Sequence, residues 1–334
     1  MGERIKIVVC GATGFIGRNC VERFAADPAV EVVAIHHRRP PFDHSGVRWV
    51  KADLTRSEDA ARALEGADIV IQAAATTSGV ADIVARPHTQ ITDTALIHNQ
   101  VFRAAYDAGA KHLVLFSCSI MYPSREAPHD EKSFDANAEI HPNYFAGAWN
   151  KIYFEKIGEF FASLGAYKVS VIRHTNVYGP HDKFDLDRSH VFGATVTKVM
   201  TVDDTVEVWG DGQEARDLIH VDDLVDLIEA MLQRQTEPYD LVCAGAGHGV
   251  QIRDLVARVI AASGRSLTIT YDATMPTIPT TIALSYNKAR EKYGWLPRVG
   301  LDEGIRRTIA WWTTEHSEPS TADTPHPALE RDET

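Results

Sequence analysis

Three glycines near the start of the chain, Gly11, Gly14 and Gly17, stand as GxxGxxG within VVCGATGFIGRNC (residues 8–20). An apolar run, IKIVVC, precedes them, and a helical apolar pattern follows over residues 16–26. The chemistry this spacing serves is anion binding. One glycine permits a tight strand-to-helix turn, one lets the backbone approach a pyrophosphate, and one lets the helix pack against the strand. Thr13, Phe15 and Ile16 fill the turn and belong to the same candidate dinucleotide site. The second apolar run, VEVVAI (30–35), continues into His36, His37, Arg38 and Arg39. An acid there would hold the adenosine ribose hydroxyls and favour NAD(H). Arg38 and Arg39 instead suit charge-assisted hydrogen bonds to a 2′-phosphate. The expected cofactor is therefore NADP(H), with NAD(H) as the other possibility. Asp53 and Leu54 after the third strand are placed to meet adenine, and Ala73, Ala74 and Ala75 after the fourth let a ring and ribose lie close to the backbone.

These residues need strands that end together. Apolar runs at 47–50, 68–72, 111–117 and 168–173 join the first two, and helical patterns at 57–65, 89–108 and 144–164 separate them. Continuous Val/Ile/Leu strands alternating with helices predict an α/β fold, a Rossmann-like parallel sheet of about seven strands covered on both faces. Beyond residue 180 the rhythm loosens, with helices predicted at 191–199, 222–233, 252–263 and 301–312 and strands near 206–209, 239–243 and 267–271. The expected organisation is a dinucleotide-binding domain over 1–178 and a smaller mixed α/β lobe over 179–312, with the chain passing between them. Residues 313–334 carry six acids, three prolines and no aromatic residue, and read as a disordered acidic tail.

Composition sets outer limits. The 334 residues hold 34 Lys+Arg against 46 Asp+Glu, a formal charge of −12, which disfavours a nucleic-acid polymer as partner. A pocket can still concentrate basic groups for a small anion. No run approaches the length of a membrane span, and the four cysteines lack metal-ligand spacing, so neither membrane nor metal is expected. The N-terminus lacks the order of a secretory signal, which points to the cytoplasm.

GATGFIG, Asp53-Leu54, Ala73–Ala75, VLFSCSIMYP (114–123), RHTNVYGP (173–180) and DLIHVDDL (217–224) together resemble the extended short-chain dehydrogenase/reductase family acting on nucleotide sugars. The resemblance spans roughly residues 5–312. YGPHDKFDLDRSHV (178–191) and VEVWGDGQEARDLIHVDD (206–223) are most similar to the branch that epimerises and reduces GDP-4-keto-6-deoxymannose with NADPH. The resemblance implies that the second lobe holds a nucleoside diphosphate sugar. It implies His190 as a catalytic acid, Lys198 as a diphosphate contact, Trp209 and Arg216 as holders of nucleotide and phosphate, and Asn176 beside the substrate. It also implies a homodimer through helices 89–108 and 144–164.

At the reaction centre the chain departs from that family. The family places a Tyr four residues before a Lys, about 400° of helix, so that the two project together and the lysine lowers the phenol pKa. Here Lys151 matches the lysine, but position 147 is glycine. Tyr144, seven residues before Lys151, stands as the alternative acid/base if the chain bends near Ala146-Gly147, or otherwise as a packing residue. Cys118, flanked by Ser117 and Ser119, stands where the hydroxyl partner would be, either as a weak S–H donor or general base or as a buried small hydrophobe. The expected activity is NADP(H)-dependent reduction or epimerisation of a nucleotide-linked deoxy or keto sugar. A 4-epimerase retaining NAD(H), and a redox-inactive nucleotide-binding protein, are the competing expectations.

Overall fold

The computed structural model describes residues 4–76, 87–186 and 189–317. Each early apolar run forms a strand: β1 (Ile5–Cys10), β2 (Val30–His36), β3 (Val47–Lys51), β4 (Ile69–Gln72), β5 (His112–Cys118) and β6 (Lys168–His174). Between them lie α1 (Phe15–Ala25), α2 (Ser57–Leu64), α3 (Pro87–Asp107) and α4 (Phe145–Ser163). The later elements are β7 (Asn176–Tyr178), α5 (Val191–Thr201), β8 (Thr205–Trp209), β9 (Ala215–Arg216), β10 (Leu218–His220), α6 (Val221–Arg234), β11 (Tyr239–Ala244), β12 (Val250–Gln251), α7 (Ile252–Ser263), β13 (Thr268–Asp272), α8 (Asn287–Tyr293) and α9 (Leu301–Ser317).

Seven strands make one parallel sheet in the order β11-β6-β5-β4-β1-β2-β3. The chain runs outward through β2 and β3, then returns to the other side of β1 as β4. This reversal opens a crevice beyond the carboxyl ends of β1 and β4, where ligands of such sheets bind. Both faces of the sheet are covered, which is why its inner strands are apolar without alternation, while the edge strand β3 leaves Arg48 and Lys51 exposed. One face packs Val9, Ile71, Phe116 and Ile172 against α1 and α6 through Val21, Phe24, Leu224 and Ile228. The other packs Val8, Leu113 and Val171 against α2, α3 and α4 through Leu64, Phe102 and Phe154.

The seventh strand, β11, comes from beyond residue 178, so the chain returns to the first sheet after leaving it. A second cluster, with Tyr178, Phe192, Val196, Leu255, Ile305 and Ile309, joins α5, α7 and α9 to the parallel β8/β13 pair. The short strands β7, β9, β10 and β12 escaped the sequence reading because two or three residues carry no periodicity, and α8 because its seven residues make barely two turns. Helix α9 runs to Ser317, five residues into the segment expected to be unstructured. Thr313 and Thr314 hydroxyls donate to carbonyls one turn back, and His316 stacks on Trp312 at 4.0 Å. Residues 318–334 lie outside the described residues. No helix among the described residues is long and apolar enough to cross a membrane, and none of their His, Cys, Asp and Glu side chains cluster as a metal site.

Candidate active site

The glycine turn lies at the crevice. Gly11 has φ +73°, and a Cβ on it would fall 2.7–2.8 Å from the Ala73–Ala74 backbone. A Cβ on Gly17 would fall 2.2 Å from the Gly11 carbonyl oxygen. These two glycines are required by protein contacts alone. Gly14 differs: it is the extended N-cap of α1, and a Cβ there would meet only the Gly11 oxygen, at 3.2 Å. The space beside Gly14 is therefore open, and the first N–H groups of α1, which have no intrahelical acceptor, face it with no acid in the first turn. This is a fit to a dinucleotide pyrophosphate.

Around the turn, Thr13, Phe15 and Ile16 are half-buried. Arg39 reaches back so that Nη1 lies 3.5 Å from the Thr13 carbonyl oxygen, and His36 Nδ1 donates to the Arg39 carbonyl at 3.1 Å. Arg38 is exposed. The Asp53 carboxylate accepts from the Thr55 hydroxyl at 2.7 Å and the Thr55 N–H at 3.1 Å, and these bonds hold it below the usual carboxylate range. Leu54 is buried among Ile35, Ala52 and Ala60, so its side chain serves the core. Gln72 Nε2 donates to the Ala74 carbonyl at 2.9 Å and shapes the Ala73–Ala75 segment. Arg39 also borders a cavity of about 230 Å³ with Asp182, Lys183, Phe184 and Asp185. Burial pushes Asp182 up to about 7. The loop carrying these residues is strapped to α1: Asn19 Nδ2 donates to the Pro180 carbonyl at 3.1 Å, and His181, at φ +68°, lies 3.2 Å from Glu22.

Lys151 projects from α4 to the end of β5, where Nζ donates to the Phe116 carbonyl at 2.8 Å. Burial lowers its pKa, against the opposing influence of Cys118 and Glu155. Cys118 closes β5 beside it; burial raises the thiol pKa and the Lys151 charge works against that. Ser119 is buried, its carbonyl accepting the Tyr122 N–H. Helix α4 runs without interruption through Ala146 and Gly147. Tyr144 is its N-cap, half-buried against Met121, Tyr122 and Ile140, with its ring 5.5 Å from that of His141. A Cβ on Gly147 would approach Ile120 Cδ1 at 3.2 Å.

Beneath Lys151 lies a network that sequence reasoning missed. Glu155, one turn on, takes two bonds from Arg173, at 2.8 and 2.5 Å, and one from the Ser117 hydroxyl at 2.6 Å. Arg173 Nη1 also donates to the Tyr122 hydroxyl at 2.7 Å, which donates onward to the Asp130 carbonyl at 2.9 Å. The network ties α4, β5, β6 and the loop after β5 together. The one sequence signal for it was charged residues in otherwise apolar elements.

On the opposite wall, His190 is the N-cap of α5 and makes no side-chain capping bond. The protein packed around it and the Lys183 charge lower its pKa. Asn176 Nδ2 donates to the Asp217 carbonyl at 3.1 Å. Lys198 Nζ donates to the Glu207 carbonyl at 2.9 Å and lies 5.3 Å above the exposed Trp209 ring. Arg216 gives three N–H donors to the carbonyls of Ala215, Ile278 and Thr280, which pins the 278–280 segment. The Asp217 carboxylate, fully buried, accepts from Ala246 and Leu284 N–H groups and is pushed up to about 6 by burial. It anchors the loops behind this wall.

Fold and site define an α/β protein with a dinucleotide turn at one end of its sheet and a second wall facing it across the crevice. The chain belongs to the NAD dependent epimerase/dehydratase family, whose model matches residues 7–244. That family is of the extended short-chain dehydrogenase/reductase type, and the protein is accordingly a nucleotide-sugar epimerase/reductase family enzyme. It is 28% identical over 314 residues to GDP-L-fucose synthase 1 of Arabidopsis thaliana, covering 92% of this chain and 93% of that one. It is 26% identical over 318 residues to dTDP-4-dehydro-6-deoxy-D-allose reductase of a Streptomyces species, covering 92% and 95%. Among solved structures, UDP-glucose 4-epimerase of Thermotoga maritima superposes with a TM-score of 0.82 at 22% identity, over 93% of this chain and 99% of the other. UDP-glucose 4-epimerase of Thermus thermophilus gives 0.78 at 23%, over 92% and 99%. These two likenesses speak for the fold.

Proposed function

We propose that the protein uses NADP(H) in preference to NAD(H) to reduce or epimerise a nucleoside diphosphate-linked deoxy or keto sugar, with GDP as the candidate carrier. The observation that carries the cofactor preference is the position of Arg39: it bends over the glycine turn at Thr13, and no acid stands at the end of β2. A 2′-phosphate there meets a guanidinium able to hold it by two hydrogen bonds. A bound nicotinamide dinucleotide supplies hydride exchange at a sugar carbon. The chain's own residues do the rest. Gly11, Gly14 and Gly17 shape the turn and the N-terminus of α1 holds the pyrophosphate; Lys151 holds the ribose and sets the charge at the end of β5. Cys118 and Ser119 bound the place of the sugar oxygen, and Tyr144 is the phenol available at the start of α4. His190 binds the sugar or relays a proton, while Asn176, Lys198, Trp209 and Arg216 hold the nucleoside diphosphate.

We assign the dimer contact to α3 and α4. Phe145, Trp149, Tyr153, Phe160 and Leu164 leave an exposed apolar stripe along α4, beside Leu96 and Tyr106 of α3. A second copy of the chain covers such a stripe with its own. The four cysteines are unpaired, which suits a reducing cytosolic setting.

The test is cofactor binding followed by turnover. NADPH fluorescence titration should give tighter binding than NADH, and Arg39→Ala should weaken NADPH by about tenfold or more, roughly 1.4 kcal/mol, while leaving NADH unchanged. Equal affinities in the wild type refute the preference. A panel of GDP-, UDP- and dTDP-linked sugars then separates the reactions: stoichiometric NADPH loss marks reduction, and isomerisation with catalytic cofactor marks epimerisation.

A further inference from the structure

His174 is the last residue of β6 and stands in register with Cys118, the last residue of β5. Adjacent strands are about 4.8 Å apart, so the thiol and the imidazole start from neighbouring Cα atoms on the same edge of the crevice. The His174 ring lies 6.2 Å from that of Phe116, the residue whose carbonyl takes the Lys151 ammonium. Lys151 from α4 and His190 from the start of α5 both act on His174 electrostatically, so it lies between the two walls. Asn176, two residues on, begins β7.

The tautomer follows from its partner. His174 Nδ1 lies 2.7 Å from the Thr175 carbonyl oxygen. A carbonyl only accepts, so Nδ1 carries the hydrogen and the neutral ring keeps its lone pair on Nε2. Nε2 makes no hydrogen bond to the described residues and is not among their buried unpartnered atoms, while the residue itself is half-buried. A ring fixed at one nitrogen and open at the other is the arrangement of a general base.

We propose that His174 exchanges, through Nε2, the proton of the reacting sugar oxygen, the task for which the chain lacks a tyrosine at position 147. This rests on the nucleotide-sugar redox function proposed above. In the oxidising direction the carbinol O–H bond breaks and its proton passes to Nε2, as the C–H hydride leaves for the oxidised nicotinamide ring and the C=O bond forms. In the reducing direction the imidazolium returns that proton to the oxygen as hydride reaches the carbonyl carbon, and solvent resupplies Nε2. Cys118 gives the same oxygen a weak S–H donor. Burial and the Lys151 and His190 charges hold His174 at about 4, so it is the neutral base at pH 7. The pyrophosphate charges of bound ligands raise its proton affinity toward the working range.

The test uses the full chain and two readouts. Long-range proton–nitrogen NMR of the histidine-labelled protein, with the His174 signal identified by its loss in His174→Gln, should show a hydrogen on Nδ1. It should also show titration well below 6.5 that moves upward in Lys151→Met. A hydrogen on Nε2 at neutral pH, or a titration indifferent to Lys151, overturns the proposal. With the panel of GDP-, UDP- and dTDP-linked sugars and NADP+ or NADPH, His174→Gln should lower kcat by about 100-fold or more with KM and NADPH affinity near wild type. The loss in kcat should be larger for His174→Gln than for Tyr144→Phe. Turnover that survives His174→Gln but falls with Tyr144→Phe assigns the proton to the phenol and sinks the inference while leaving the function standing. No turnover of any panel member by the wild type removes both.

Discussion

The buried Glu155–Arg173 pair offers a quantitative test of how the floor of the site is held. Glu155 is 2% exposed, Arg173 4% and Ser117 fully buried. Arg173→Leu leaves the Glu155 carboxylate out of water with only the Ser117 hydroxyl as donor. Breaking a buried pair on one side costs about 3–5 kcal/mol, a large part of the roughly 5–15 kcal/mol that keeps a protein folded. Glu155→Met should cost a similar amount, because the guanidinium then keeps only the Tyr122 hydroxyl. The double variant Glu155→Met/Arg173→Leu removes both charges. What it loses is the acceptor of the Ser117 hydroxyl, about 1–3 kcal/mol, since Tyr122 still donates to the Asp130 carbonyl. The double variant should therefore be more stable than either single one, with a coupling of about 3 kcal/mol or more across the cycle. Urea unfolding at pH 7, followed by circular dichroism and tryptophan fluorescence, measures all four proteins. Additive losses, or an Arg173→Leu variant within about 1 kcal/mol of wild type, would show that the pair is not the strained necessity its burial implies.

Other expectations are narrower. Gly17→Ala should lower the melting temperature and abolish NADPH binding, because its Cβ meets the Gly11 carbonyl oxygen at 2.2 Å, whereas Gly14→Ala should fold and lose affinity alone; both are read by thermal melts and fluorescence titration. His112 is held at about 4 by burial and the Lys168 charge, below its unfolded value near 6.5. Its contribution to stability is complete above pH 6.5 and is lost as pH falls toward 4, so the melting temperature of His112→Gln should decline less over that window than wild type; a parallel decline contradicts the assignment. Trp149→Glu combined with Phe160→Glu should yield a monomer by light scattering with an unchanged circular dichroism spectrum, since both side chains are exposed on α4.

Much of the fold was legible because its signals are local. Five of the sheet's strands are Val/Ile/Leu-rich runs bounded by turns, and the burial of both faces forces that composition. The glycine turn was equally legible, since a tight turn and two close backbone approaches exclude a side chain whatever else the chain does. The short strands β7, β9, β10 and β12 were not, because pairing across long loops defines them. Leu54 shows the limit for ligand contacts: position suggested adenine, yet its side chain lies in the core. Arg216 carries a structural task that spacing did not announce, since two of its hydrogen bonds go to carbonyls more than 60 residues away.

By itself the sequence determined the layered α/β class, the place of the dinucleotide turn, the arginines at the end of β2 and the absence of a phenol at position 147. Those follow from residue type and short spacing. Only the tertiary structure decided what gathers where the phenol is missing. It brought Cys118 and His174 into register on neighbouring strands, placed Lys151 against the Phe116 carbonyl, and buried Glu155 with Arg173 beneath them. None of these meetings is written in local spacing, because strand register and helix packing join residues tens of positions apart. The order of strands in the sheet sets that geometry.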